Sequence, residues 1–122
     1  MSVYDAEGHF QSAIGLQGKM FEFNGSGGII NDIDLDSENS IYLIGSFFGT
    51  FDFDPSDQLV ELTSTGGISD YDMFLAKYDQ NNSYIWAINA GGQSQEQGYH
   101  VRANGNENVI AFGYYDGYCD FD

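Results

Sequence analysis

The residues with the most chemical potential in this chain are its carboxylates, nineteen Asp and Glu in 122 residues. The densest run is Asn31-Asp32-Ile33-Asp34-Leu35-Asp36-Ser37-Glu38, and several hard oxygen ligands close together are what a calcium ion requires. Alternate residues of a strand would place Asp32, Asp34 and Asp36 on one face, about 6–7 Å apart, which is too spread for a single ion. The helix–loop calcium pattern is also missing, with no Gly at its sixth position and no closing Glu. The run therefore reads as a solvated strand face whose charge keeps an edge from pairing, with a structural calcium as the alternative. Carboxylate pairs also hydrolyse glycosides, but among nineteen acids some pair always falls at a workable distance, so abundance assigns nothing.

Other candidates are equally weak. His9 and His100 lack metal-ligand spacing, and Asp52-Phe53-Asp54 and Asp120-Phe121-Asp122 read as structural tips. Trp86 and Tyr84 offer aromatic faces to a sugar, yet burial is the stronger reading; simple alternation puts both on one strand face, with Ile85 and Ala87 on the other. The Gly-x-Ser-x-Gly elbow, the phosphate loop closed by Lys and the His-Glu-x-x-His helix are all missing from the sequence. No catalytic, cofactor-binding or metal residue is assigned, and the chain is expected not to be an enzyme. Asn24-Gly25-Ser26 and Asn81-Asn82-Ser83 match the N-glycan acceptor pattern, a match frequent by chance.

Those residues must be held by some framework, and composition narrows which one. Three basic residues against nineteen acids give a formal charge of −16, which repels phosphate backbones and anionic membrane surfaces. Nucleic acid and membrane insertion are therefore not expected. A hydrophobic fraction of 42% with ten Phe, nine Tyr and one Trp is too rich for a disordered acidic tail. Sixteen Gly beside those aromatics and a single Pro favour short strands and tight turns, so the expected class is all-β. Neither a signal peptide nor a membrane span is expected, since no apolar segment of the needed kind occurs.

The sequence repeats itself. Gly45-Ser46-Phe47-Phe48-Gly49-Thr50-Phe51-Asp52-Phe53-Asp54 returns 68 residues later as Gly113-Tyr114-Tyr115-Asp116-Gly117-Tyr118-Cys119-Asp120-Phe121-Asp122. The lone Cys119 aligns with Phe51, which makes it a packing position more than a reactive thiol. A second pair, Tyr4 to Ile14 against Tyr78 to Ile88, is offset by 74 residues. The difference places an insertion near Lys19 to Gly28, where Gly25-Ser26-Gly27-Gly28 reads as a flexible loop. Four strands are expected in the complete unit, Ile29 to Leu35, Ile41 to Phe48, Met73 to Tyr78 and Tyr84 to Asn89. An extra hairpin joins Phe51–Phe53 to Leu59–Leu62 through Asp54-Pro55-Ser56-Asp57. Four strands and a link to the next four are the pattern of a propeller blade.

At Gly45 to Pro55, Asp72 to Asp79, and Tyr84-Ile85-Trp86-Ala87 followed by Gly91-Gly92, the chain resembles the bacterial β-propeller repeat family known as SBBP repeats. That resemblance implies a blade array, an extracellular or cell-surface setting and no catalytic residue to carry over. The expected layout is the end of one blade with its third and fourth strands and a loop in 1–28, a complete blade in 29–92, and the first two strands of the next blade in 93–122. The expected function is a noncatalytic scaffold or adhesion module, self-assembling head-to-tail. Its expected partners are other copies of itself or neighbouring blades, together with a protein or glycan ligand. The alternative is a piece of a larger propeller enzyme acting on glycans.

Overall fold

The computed structural model describes residues 2–13, 15–18, 26–66, 70–105 and 108–121. The chain is all-β, with no helix among those residues. Its centre is an antiparallel meander of β4 (Gly27–Leu35), β5 (Ile41–Phe48), β8 (Asp72–Tyr78) and β9 (Tyr84–Gly92). A two-residue strand, β12 (Cys119–Asp120), adds to the outer edge of β9. A second sheet orders β3 (Gln17–Gly18), β6 (Thr50–Asp52) and β7 (Glu61–Thr63). Two separate hairpins remain, β1 (Ser2–Tyr4) with β2 (Phe10–Ala13), and β10 (Glu96–Asn104) with β11 (Asn108–Tyr115).

Strand alternation gives the meander two apolar faces. On one, Tyr42, Ile44 and Leu75 pack with Val101 of β10, and Met73, Trp86, Ala103 and Val109 close the edges. On the other, Ile41, Leu43, Phe47, Phe74, Ala76 and Tyr78 surround Phe53, with Phe51 and Leu62 of the small sheet packed against them. The aromatic rings there meet edge to face, with Phe53 lying 5.1 Å from Phe74 and 5.6 Å from Phe47. The hydroxyl of buried Tyr78 donates to the Phe53 carbonyl at 2.8 Å, so its one polar atom is satisfied.

Trp86 and Tyr84 do not share a face. Tyr84 and Ala87 pack in the Phe53 cluster, whereas Trp86 meets Tyr42 edge to face in the other. The cause is a bulge: Lys77 pairs with Trp86 and Tyr78 with Tyr84, leaving Ile85 as an extra residue that reverses the alternation. Gly27 and Gly28, read as loop from sequence, open β4 opposite Phe48 and Phe47. Their missing side chains make room for rings, Phe48 beside Gly27 and Phe51 beside Gly28. Residues 19–25, the rest of the expected insertion, lie outside the described residues.

The repeated sequences form the same ladders. In β4–β5, Ile30 pairs with Gly45, Asp32 with Ile44 and Leu35 with Ile41, with a bulge at Asn31. In β10–β11, Gly98 pairs with Gly113, His100 with Phe112 and Ala103 with Val109, each partner 68 residues further on and the bulge falling at Tyr99. The N-terminal hairpin does the same at an offset of 74: Ser2–Ala13, Val3–Ser12 and Tyr4–Phe10 match Ala76–Ala87, Lys77–Trp86 and Tyr78–Tyr84, bulge included. The joints agree as well, since Gln17–Asp52 and Gly18–Phe51 correspond to Gly91–Asp120 and Gly92–Cys119.

The repeated glycines have local causes. Gly49 and Gly117 have φ of 80° and 76°, in the left-handed region where a side chain is strained. A Cβ on Gly45 or Gly113 would overlap the carbonyl of Ile29 or Gln97 on the paired strand. Gly45→Ala should therefore cost at least about 2 kcal/mol in denaturant melts, while Gly15→Ala, which meets open space, should stay within about 0.5 kcal/mol. Trp86→Ala should lose on the order of 2 kcal/mol in the same assay, and an unchanged melt would remove Trp86 from the packing.

Candidate functional site

The acidic run of β4 does not face solvent alone; it holds the β10–β11 hairpin. Asp32 accepts hydrogen bonds at Oδ2 from the Val101 backbone N–H at 3.1 Å and from the Arg102 guanidinium at 2.9 Å. His100 Nδ1 approaches the same oxygen at 3.4 Å. Asp34 accepts from the Ala103 N–H at 2.9 Å, and the bulged Asn31 donates its amide to the Gly98 carbonyl at 2.7 Å. The expectation of a solvated face that only repels an edge is corrected, because β10 presents backbone donors two residues apart and the alternating acids meet them.

Asp36 faces the same way but closes a turn. It is buried, and its Oδ1 accepts from the N–H groups of Glu38 and Ser40, while Oδ2 lies 3.3 Å from Lys77 Nζ and accepts from the Tyr42 hydroxyl. Asp5 and Asp79 form equivalent turns, each receiving two backbone N–H bonds, with Gly8 and Asn82 at positive φ. Asn81 of the glycan pattern sits in the second of these turns, and Asn24 lies outside the described residues. Asp52 accepts from Asp54 and Val60 N–H groups, so the Asp-Phe-Asp segment shapes a strand tip.

These bonds set proton affinities. The Val101 N–H, then Ile33 N–H and the Arg102 and His100 side chains, outweigh desolvation and hold Asp32 at about 2, below its ordinary 3.8. Burial by itself would raise Asp36, but the Ser40 and Glu38 N–H groups and Lys77 bring it to about 2. Among the described residues no group of three or more His, Cys, Asp or Glu is placed to hold a metal ion. His9 Nδ1 lies 3.0 Å from Asp5 Oδ2 in the N-terminal hairpin.

Two buried carboxyls were not legible as candidates. Asp72 accepts at Oδ2 from Thr65 and Asn89, with Oδ1 unpartnered, in space that a side chain on Gly91 would occupy. Glu96 accepts the Gly92 N–H at 3.0 Å through Oε2 while Oε1 has no partner. Burial pushes Glu96 up, opposed by that bond and reinforced by Asp72, Asp116 and Asp70. Glu96 borders an apolar depression with Met73, Ala90, Tyr115, Cys119 and Phe121. Cys119 is half-buried there and its thiol is also pushed up by burial, which disfavours the reactive thiolate.

The signs give a pH profile. Asp32 and Asp36 are depressed in the folded state, so their stabilisation is complete above 3.8 and is lost as pH falls through about 2. Glu96 is raised, so its contribution is present below 4.5 and is lost as pH rises through its folded value. Thermal melts across acid pH should show an acid limb flattened by Asp32→Asn and a decline above 4.5 flattened by Glu96→Gln. No protein-family model, curated protein or solved structure matches the chain.

Proposed function

We propose that the chain is a noncatalytic scaffold or adhesion module built from β-propeller-type blades and working outside the cell or at its surface. The observation that carries this reading is the agreement of ladders: both flanking hairpins reproduce, bulge for bulge, halves of the central meander. A four-stranded meander linked to similar neighbours suits a blade, whose apolar faces are covered by the next blade. On this reading residues 29–92 are one blade, 1–28 end the preceding one and 93–122 begin the following one. The resemblance to SBBP repeats supports the same architecture and the extracellular setting.

The carboxylates fit a supporting role. Asp32, Asp34, Asp36, Asp5 and Asp79 are engaged with backbone donors that define turns and the hairpin seat. The high net charge keeps such an array soluble and disfavours nonspecific contact. A protein or glycan ligand would meet loops and exposed aromatics, and no cofactor is required. Screening the chain on a glycan array and against hydrolase substrates should give binding without turnover. Turnover abolished by a single carboxylate substitution would replace this reading with a glycan-active enzyme.

A further inference from the structure

We infer that the edge of β11 that pairs with no strand among the described residues pairs with the β1 edge of a second copy of this chain, in the register that β5 and β8 use internally, an inference resting on the blade reading above. β5 and β8 align Ile41 with Tyr78, Tyr42 with Lys77 and Leu43 with Ala76. Carried over by the ladder equivalences, Val109 faces Tyr4, Ile110 faces Val3 and Ala111 faces Ser2. The resulting order, β10-β11 of one copy followed by β1-β2 of the next, rebuilds the four-stranded meander.

The side chains for this seam are already arranged in each half. Tyr4 and Phe10 meet at 6.0 Å and 77°, as Tyr78 and Tyr84 do at 6.2 Å and 75°. Tyr115 and Phe121 meet at 6.0 Å and 88°, as Phe47 and Phe53 do at 5.6 Å and 82°. Burial differs sharply: Tyr4 and Phe121 are 57% and 62% exposed, whereas Tyr78 and Phe53 are both 0% exposed. In the rebuilt sheet Tyr4 takes the place of Tyr78 and donates its hydroxyl to the Phe121 carbonyl. Tyr115 and Phe121, which already line the depression bordered by Glu96 and Cys119, are then covered by the second copy.

Three further observations select a second copy. The joint beside the seam is already made within the chain, since β12 pairs with β9 as β6 pairs with β3. Neither Ser2–Tyr4 nor Asn108–Tyr115 contains a charged residue in a chain of net charge −16, so like-charge repulsion is weakest where the edges meet. Within one copy the hairpins flank opposite faces of the meander: β10 packs on Tyr42 and Ile44, while β1 and β2 border Ile33, Leu35 and Ile41. Each copy thus presents one edge of each kind, a heterologous contact that propagates into a ring or filament.

The test uses the full chain in a Cys119→Ala background, with Val3→Cys in one preparation and Ile110→Cys in the other. Directly opposed strand residues are close enough for a disulfide, so the mixture should form the 3–110 cross-link on oxidation, while Val3→Cys with Tyr115→Cys should not. Sedimentation of the unmodified chain should show concentration-dependent assemblies, weakened at least tenfold by Tyr4→Asp. A monomer at all concentrations up to about 100 μM, or equal cross-linking in both mixtures, overturns the inference. A monomer that binds glycan or protein without turnover leaves the scaffold reading standing and assigns the edges to units of a longer polypeptide. Turnover abolished by one carboxylate substitution removes the scaffold reading whatever the assembly state.

Discussion

A strand that is apolar on both faces is stabilised most when both are covered, and Ile41–Phe48 is such a strand. Tyr42 and Ile44 point one way, Ile41, Leu43 and Phe47 the other, and all five are buried. Burying each of these side chains stabilises the fold by roughly 1.5–3 kcal/mol, which is gained only if both faces are covered. The meander cannot cover itself. The β10–β11 hairpin closes one side and the aromatic β3–β6–β7 sheet the other, so these two elements are placed by the need to keep β5 dry.

Apolar cover alone is nondirectional and would tolerate sliding. Direction comes from the polar contacts of β4 with β10. Asp32 and Asp34 are two residues apart, as are Val101 and Ala103, so both carboxylates find a backbone donor in one register. A slip by one residue would bring the opposite side chains of β10 to the core and withdraw Val101 from Tyr42, Ile44 and Leu75. Arg102, one of only three basic residues, reinforces that register through Asp32. Lys77 does the same for the β4–β5 turn through Asp36, so two of the three cations serve the geometry of this one edge.

The strands were legible where alternation is undisturbed: Ile41–Phe48 matches β5 at both ends, and Met73–Tyr78 misses one residue of β8. The hairpin around Pro55 was also legible, because Pro and Asp restrict the backbone locally. What failed were a local bulge and contacts set by partners far along the chain. The bulge at Ile85 reverses the face of Trp86 without a composition signal, and the donors to Asp32 lie about seventy residues away. Glu96 pairs with Tyr115 where Gly28, 68 residues earlier, pairs with Phe47, so the similarly paired ladder offers no counterpart for its buried carboxyl. The apolar seats, set by periodicity, were easier to place than the buried acids, whose partners are tertiary.

The distribution of charge completes the physical picture. Acids occupy turns, where Asp5, Asp36 and Asp79 organise the backbone, and one strand face, where they receive a neighbour's donors. They are missing from β5 and β11, as they are from β1, β2, β3 and β9, and β5 and β11 pair in the same register with their preceding strands. In β5 neutrality is required by burial between two packed strands, since an unpaired carboxylate there would carry a large desolvation cost. β11 has the same neutral composition while its Ile110, Phe112, Tyr114 and Tyr115 remain exposed. An edge exposed to water would gain solubility from charge, so β11 has the sequence of a central strand in the position of an outer one. That mismatch between composition and exposure is what the proposed seam would remove, by placing β11 between two strands as β5 is placed.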